Sequence, residues 1–237
     1  MLEPSNTPTD AYAPVAGQDL SINGGLARSS RALLLAAFVC GGLCPLAMQF
    51  DSSISTYLRQ FKLPGDLQKA ITLSEVFAHG LGVTCILLAV FVIAVNRRRL
   101  VYIAILLTAL SGVTANALKA AVVRVRPHAE GLQVKGHNDS DNQSEGAVER
   151  SFWDARQRSF PSGHAATAWG LAIGLSLVFG RGWWIFGMLA VLASVQRIES
   201  GAHYPSDVLA GASIAFIIAA CVVALPRIRR RLEFDRS

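Results

Sequence analysis

The chain has 237 residues, of which 52% are hydrophobic and only 16% charged, with a formal net charge of +6. Soluble domains carry about 25% charged residues, so this composition, with a mean hydropathy of +0.40, argues against an ordinary soluble fold and for a membrane protein. Much of the positive charge stands in arginine clusters beside apolar runs, a pattern that membrane topology explains better than nucleic-acid binding.

Residues 1–30 hold Pro4, Pro8, Pro14 and several glycines and read as a mobile tail without a signal-peptide cleavage pattern. The first apolar run, Ala32 to Phe50, contains Gly41, Gly42 and Pro45, which predict a kink or an early end. Residues 51–69 are mixed and suit a short interfacial helix. The second run, about Ile71 to Val95, contains Glu75 and His79 one helical turn apart. These two are either an interfacial polar pair or the wall of a polar cavity where headgroup choice could lie. Arg97, Arg98 and Arg99 close that helix, and the third run, Leu100 to Val123, turns polar at Thr114, Asn116 and Lys119.

Residues 124–160 form a polar loop long enough to be a lid, a binding loop or local disorder. Gly136 to Gly146 reads as disordered, Phe152 and Trp153 could dip into the interface, and His128 and His137 lack metal-ligand spacing. The fourth run is Ala165 to Gly180, the fifth Trp183 to Val195, and the sixth Pro205 to Leu225, ended by Pro226 and a basic tail over 227–237. Cys40, Cys44, Cys85 and Cys221 all lie in apolar runs and read as small buried residues. The expected fold is all-α: a polytopic membrane protein with six transmembrane helices bundled over residues 31–226.

Six crossings carry a parity consequence. The ends of helices 1, 3 and 5 share one membrane face with the starts of helices 2, 4 and 6. That face collects Lys119, Arg126, Ser162, Gly163, His164, Arg197, His203 and Asp207. The opposite face carries mainly exposed arginines in short segments, so the positive-inside rule puts it, and both termini, in the cytoplasm. The site is then expected to face outward.

The chemistry fits a phosphate. Ser162 can cap a helix whose free N–H groups attract anions, and Gly163 lets backbone come close to a ligand. Lys119, Arg126 and Arg197 can surround the phosphate oxygens and stabilise charge during transfer. Asp207, four residues after His203, can take the proton of one ring nitrogen and leave the other free to attack phosphorus. His164 stands where it can protonate the leaving oxygen. No acidic cluster suggests a divalent-metal cage, so neither metal nor cofactor is expected.

These residues carry a resemblance to the PAP2 superfamily of membrane phosphatases. Its first motif, Lys, six residues, Arg-Pro, is matched by Lys119 through Arg126-Pro127. Its second is Pro161-Ser162-Gly163-His164, and its third is matched by Arg197, His203 and Asp207, with Gln196 where the family has serine. The resemblance implies a six-helix phosphatase with a phosphohistidine on His203, activation by Asp207 and His164 as general acid. It implies Lys119, Arg126, Ser162, Gly163 and Arg197 as phosphate ligands. The implied substrates are membrane lipid phosphates: phosphatidate, phosphatidylglycerophosphate, undecaprenyl diphosphate or, as an alternative, lipid A. The expected location is a bacterial inner membrane. Two rivals share the motifs: a vanadate-dependent haloperoxidase, which the apolar runs disfavour, and a non-catalytic lipid carrier, which needs neither nucleophile nor acid.

Overall fold

A computed structural model describes residues 18–61, 64–122, 124–127, 158–226, 228 and 232. Among these residues the regular secondary structure is helical, apart from one isolated bridge between Val125 and Arg158. Four stretches are long and apolar enough to cross a membrane, or up to five if one bent pair counts as a single span.

The first helix, α1, runs Gln18–Gln60. It corrects three expectations. The second half of the supposed mobile tail is helical, Pro45 does not end the helix, and residues 51–60 continue it instead of forming a separate interfacial helix. The reason is a single inward stripe: Ala37, Cys44, Asp51 and Ser55 recur at helical spacing and are all buried. Leu35 and Phe38, on other faces, are exposed, as suits contact with lipid.

The second apolar run is not one helix. It divides into α2 (Gly65–Leu73), a 3-10 turn (Ser74–Phe77) and α3 (Gly80–Ile93), with a bend of 73° at the break. His79 at the break is extended, with φ −86° and ψ 136°. Glu75 and His79 therefore do not stack one turn apart on a continuous helix.

Helix α4 spans Arg98–Leu118, α5 Gly163–Phe179, α6 Trp183–Glu199 and α7 Pro205–Ala224. The 37-residue apolar stretch Gly163–Glu199 is thus two 17-residue helices broken at Gly180–Gly182. Phe179 and Phe186 meet at the turn with ring centroids 6.1 Å apart, and α6 returns along α5.

Helices α1 and α7 lie antiparallel. Ser30 Oγ donates to Ala220 O (3.4 Å), Ser213 Oγ to Ala37 O (2.9 Å) and Cys44 Sγ to Ser206 O (3.5 Å). The contacts advance by seven residues along α1 and recede by seven along α7, which fixes the register between the two helices. Helices α4 and α5 approach through small residues, with Gly174 against Ala104 and Gly170 against Ser111. Close backbone approach of this kind holds helices together where lipid supplies no hydrophobic drive. The main core joins Leu107, Leu171, Leu175, Val178 and Val223.

Leu232 is buried in that core and Ile228 packs on it, so the segment after Pro226 is not simply a basic tail. Cys44 is buried, but Cys85 and Cys221 are exposed, which corrects their reading as buried residues. The expectations for His128, His137, Gly136–Gly146, Phe152 and Trp153 lie outside the described residues.

Candidate active site

Four chain segments meet at one end of the bundle: the exit of α4 and the starts or ends of α5, α6 and α7. The meeting is enforced by backbone hydrogen bonds. The Ser162 N–H donates to Asp207 O (2.9 Å), tying the start of α5 to the first turn of α7. The His203 N–H donates to Arg197 O (3.0 Å), tying the end of α6 to the approach to α7. Gly211 permits the α5–α7 contact, since a Cβ there would stand 2.4 Å from Ser162 O.

Ser162 caps α5 as its sequence suggests, accepting from the Ala165 N–H at 3.3 Å. Gly163 has a packing reason beyond access for a ligand, because a Cβ there would stand 2.6 Å from Asn116 Oδ1. His164, on the first turn of α5, lies close enough to Lys119, Arg197, His203 and His79 to feel their charges. Its ring centroid is 6.4 Å from that of His79.

His203 and Asp207 are almost fully buried, at 1% and 0% exposure. The His203 Nδ1 faces Asp207 Oδ2 at 3.6 Å, longer than a hydrogen bond, and is left without a hydrogen-bond partner among the described residues. Catalytic hydrogen bonds in ligand-free sites are often long and tighten on binding. Burial pushes the His203 imidazole below its usual pKa; Asp207 opposes the shift, and Lys119 and Arg126 add to it. Burial therefore favours the neutral ring, the state a nucleophilic imidazole would need.

The Asp207 carboxylate is fixed at both oxygens. Oδ2 accepts from the Tyr204 N–H at 2.8 Å, closing a capping box at the start of α7. Oδ1 accepts from Arg124 Nη1 at 2.9 Å. Arg124 reaches on to Asp51 Oδ2 at 2.6 Å, and its guanidinium lies 4.2 Å above the Tyr204 ring. Asp51, from α1, also accepts from the Ser206 N–H at 3.0 Å and from the Ser206 hydroxyl. The sequence reading missed both Asp51 and Arg124. The available signals were an acid directly after an apolar run and a third cation inside the Lys119–Arg126 segment.

Lys119 and Arg126 lie close enough to feel each other's charge, as do Arg126 and Arg197, and both Lys119 and Arg197 act on His164. Burial lowers the pKa of Lys119, helped by Arg126; burial also lowers that of Arg126, helped by Arg197. Three cations held this close repel one another, and an anion among them would relieve that. Arg126 Nε is buried with no hydrogen-bond partner among the described residues. Arg197 is held from behind: Glu75 Oε1 lies 2.7 Å from its Nη2, and its Nε donates to Gln196 Oε1 at 2.5 Å. Gln196 Nε2 also approaches Glu75 Oε2 at 3.4 Å. Glu75 thus reaches the site through Arg197, and His79 reaches it beside His164. Every site residue expected from the sequence comes to this end of the bundle.

A model of the family described as the PAP2 superfamily matches residues 99–231, more than half of the chain and all of the segment from Lys119 to Asp207. The chain belongs to the PAP2 superfamily. A lipid A 1-phosphatase of Rhizobium etli is 35% identical over 108 residues, which are 43% of this chain and 39% of that protein. The chain therefore matches well under half the length of that relative. The crystal structure of Aquifex aeolicus LpxE is similar with a TM-score of 0.53 at 23% identity, covering 73% of this chain and 94% of that one. The first transmembrane PAP2 type phosphatidylglycerolphosphate phosphatase from Bacillus subtilis gives 0.56 at 18% identity, covering 82% and 93%. These two likenesses establish the PAP2 membrane fold. Asp51, Glu75 and His79 lie outside the matched PAP2 segment.

Proposed function

We propose that this protein hydrolyses a phosphate carried by a membrane lipid, through a covalent intermediate on His203. The observation that carries the proposal is the buried His203 facing Asp207, with Lys119 and Arg126 close enough to act on its ring and Arg197 close to Arg126. In this reading the cations, the Ser162 region and the start of α5 bind the phosphate oxygens. His203 Nε2 attacks phosphorus, the bond from phosphorus to the lipid oxygen breaks, and His164 gives that oxygen its proton. Water then attacks the phosphohistidine, His164 takes the water proton back, and inorganic phosphate leaves. Asp207 holds the Nδ1 proton and balances the charge that develops on the ring. None of these steps calls on a metal or a cofactor.

In the same proposal the bundle crosses the membrane six times, with the bent α2–α3 pair as one crossing and α5 and α6 as a hairpin. The catalytic unit is residues 31–226, and the loop over 124–160 sits on the site's side. That side faces away from the cytoplasm of a bacterium. A lipid reaches the site with its chains still in the bilayer, since each methylene kept from water is worth about 0.8 kcal/mol. The name of the Rhizobium relative supports a lipid-borne phosphate as the substrate class. Glu75 and His79, beside Arg197 and His164, are the proposed place for headgroup choice.

Phosphate release from phosphatidate, phosphatidylglycerophosphate, undecaprenyl diphosphate, lipid A and glycerol 3-phosphate, compared in one detergent, tests the proposal. Lipid phosphates are expected to exceed glycerol 3-phosphate in kcat/KM by orders of magnitude. Equal turnover of glycerol 3-phosphate would remove the lipid from the account, and no release from any of the five would remove the phosphatase.

A further inference from the structure

Asp51 and Arg124 have no part in the bond-making steps above, yet they are built into the site more completely than its proposed phosphate ligands. Asp51 is 2% exposed on the inward stripe of α1, where its buried neighbours Ala37, Cys44 and Ser55 are uncharged. An ionisable group placed so deep is costly unless it is paired. Its two oxygens take the Arg124 guanidinium, the Ser206 N–H and the Ser206 hydroxyl. Arg124 in turn spans from Asp51 to Asp207 and also donates to Ser206 Oγ at 2.6 Å.

We infer that Asp51 and Arg124 are positioning residues for the nucleophile: Asp51 orients Arg124, and Arg124 pins Asp207 Oδ1 so that Oδ2 faces His203 Nδ1. The inference rests on the reading of His203 as the nucleophile. Two physical arguments support it. The first is orientation. A carboxylate anchored only at Oδ2 by the Tyr204 N–H could turn about its own axis. The second anchor, at Oδ1, removes that freedom and fixes the ring's partner.

The second argument is charge. Arg124 paired with Asp207 alone would cancel the negative charge that His203 needs when its ring becomes cationic in the attack. Asp51 supplies a second carboxylate, so the triad of two acids and one guanidinium keeps one net negative charge beside the ring. Lys119 and Arg126 from the α4 exit and His164 from α5 bear on the ring's surroundings with the opposite sign, and Arg197 of α6 adds to theirs. Without Asp51 the site would hold four cations against Asp207 and Glu75. Asp51 comes from α1 and Arg124 from the α4 exit, so the nucleophile is set by parts of the chain outside its own motif.

The test uses the full chain in detergent with an aryl phosphate as substrate and inorganic phosphate as competitive inhibitor. Asp51→Asn keeps the shape and an acceptor for the Ser206 N–H but removes the charge. Its kcat is expected to fall by about 10–100-fold, the usual cost of losing a supporting partner. Inhibition by inorganic phosphate should stay within about twofold of the unaltered protein, because Lys119, Arg126 and Arg197 are untouched. Arg124→Lys keeps the charge but loses the fork that spans two carboxylates, and should show the same split. It decides the question if Asp51→Asn does not fold. Unchanged kcat, or phosphate affinity lost in step with kcat, would overturn the inference. His203→Ala, measured alongside, separates the failures. An inactive His203→Ala with a normal Asp51→Asn removes only the positioning role, whereas an active His203→Ala removes the nucleophile and the inference together.

Discussion

Arg124 and Arg126 stand two residues apart on the same exit from α4 and meet opposite surroundings. Arg124 lies between two carboxylates with an aromatic ring beneath it. Burial alone would weaken its hold on the proton, but the Asp51 hydrogen bond and the nearby acids outweigh it and push its pKa up. Arg126 has its Nε buried without a partner among the described residues, and both burial and Arg197 push its pKa down. One arginine has its counter-charge within the protein. The other, with Lys119, makes no ion pair among the described residues, and in the proposed mechanism the substrate's phosphate supplies the anion. In the proposed mechanism the difference separates a group that holds the fold and positions the nucleophile from a group that binds the phosphate.

The largest way to sharpen that contrast is in stability. Arg124→Met strands two buried carboxylates and should cost about 3–5 kcal/mol. Arg126→Met removes a half-buried charge that makes no ion pair among the described residues, and should cost little or even stabilise. Chemical denaturation in detergent reads both, and equal losses would break the comparison.

Activity should follow a different order. Arg126→Met is expected to lower kcat/KM by about 10²–10³-fold, the usual loss for one donor to a transition-state oxyanion. Steady-state kinetics with a lipid phosphate checks it, and a fall of less than tenfold would take Arg126 out of the phosphate site.

Binding provides the third test. Inorganic phosphate at 100 times its Kd should stabilise the unaltered protein by about 2.7 kcal/mol. The same phosphate concentration should add much less to Arg126→Met. Equal stabilisation of both would place the anion elsewhere.

The smallest expected effect is in pH. The depressed pKa of His203 keeps its ring neutral as pH falls through the ordinary histidine value of about 6.5. kcat/KM should therefore hold on the acid side of that value. The depressed pKa of Lys119 means its charge is lost at lower pH than for an ordinary lysine, so the alkaline fall should begin early. A profile that drops at the ordinary histidine value would contradict the buried, neutral ring.

The parts of this site that were legible in the sequence are those fixed by local geometry. Ser162 and His164 belong to one helix start, and His203 and Asp207 to the approach and first turn of another, so their spacing alone carries their relation. The Asp51 network was not legible, because Asp51 meets Ser206 across 155 residues of chain and only the α1–α7 register brings them together. The helix plan shows the same division. The apolar runs of α4 to α7 gave their bounds within a few residues. The bend after Phe77 did not show, since Val76, Phe77 and Ala78 are as apolar as any continuous helix. Residues 51–60 looked like a separate segment by composition, and burial of Asp51 and Ser55 on the inward stripe is what keeps them in α1.

The central claim is that His203 carries the phosphate, and trapping the intermediate tests it most directly. The His164→Ala protein, given an aryl phosphate labelled at phosphorus, should form the intermediate readily because an acidic leaving group needs no proton. It should break the intermediate down slowly because water then lacks its base. Denaturation after a few turnovers should leave the label on His203, stable to alkali and released by acid. A label on any other residue, or a His203→Ala protein that still turns over substrate at the normal rate, would contradict the account.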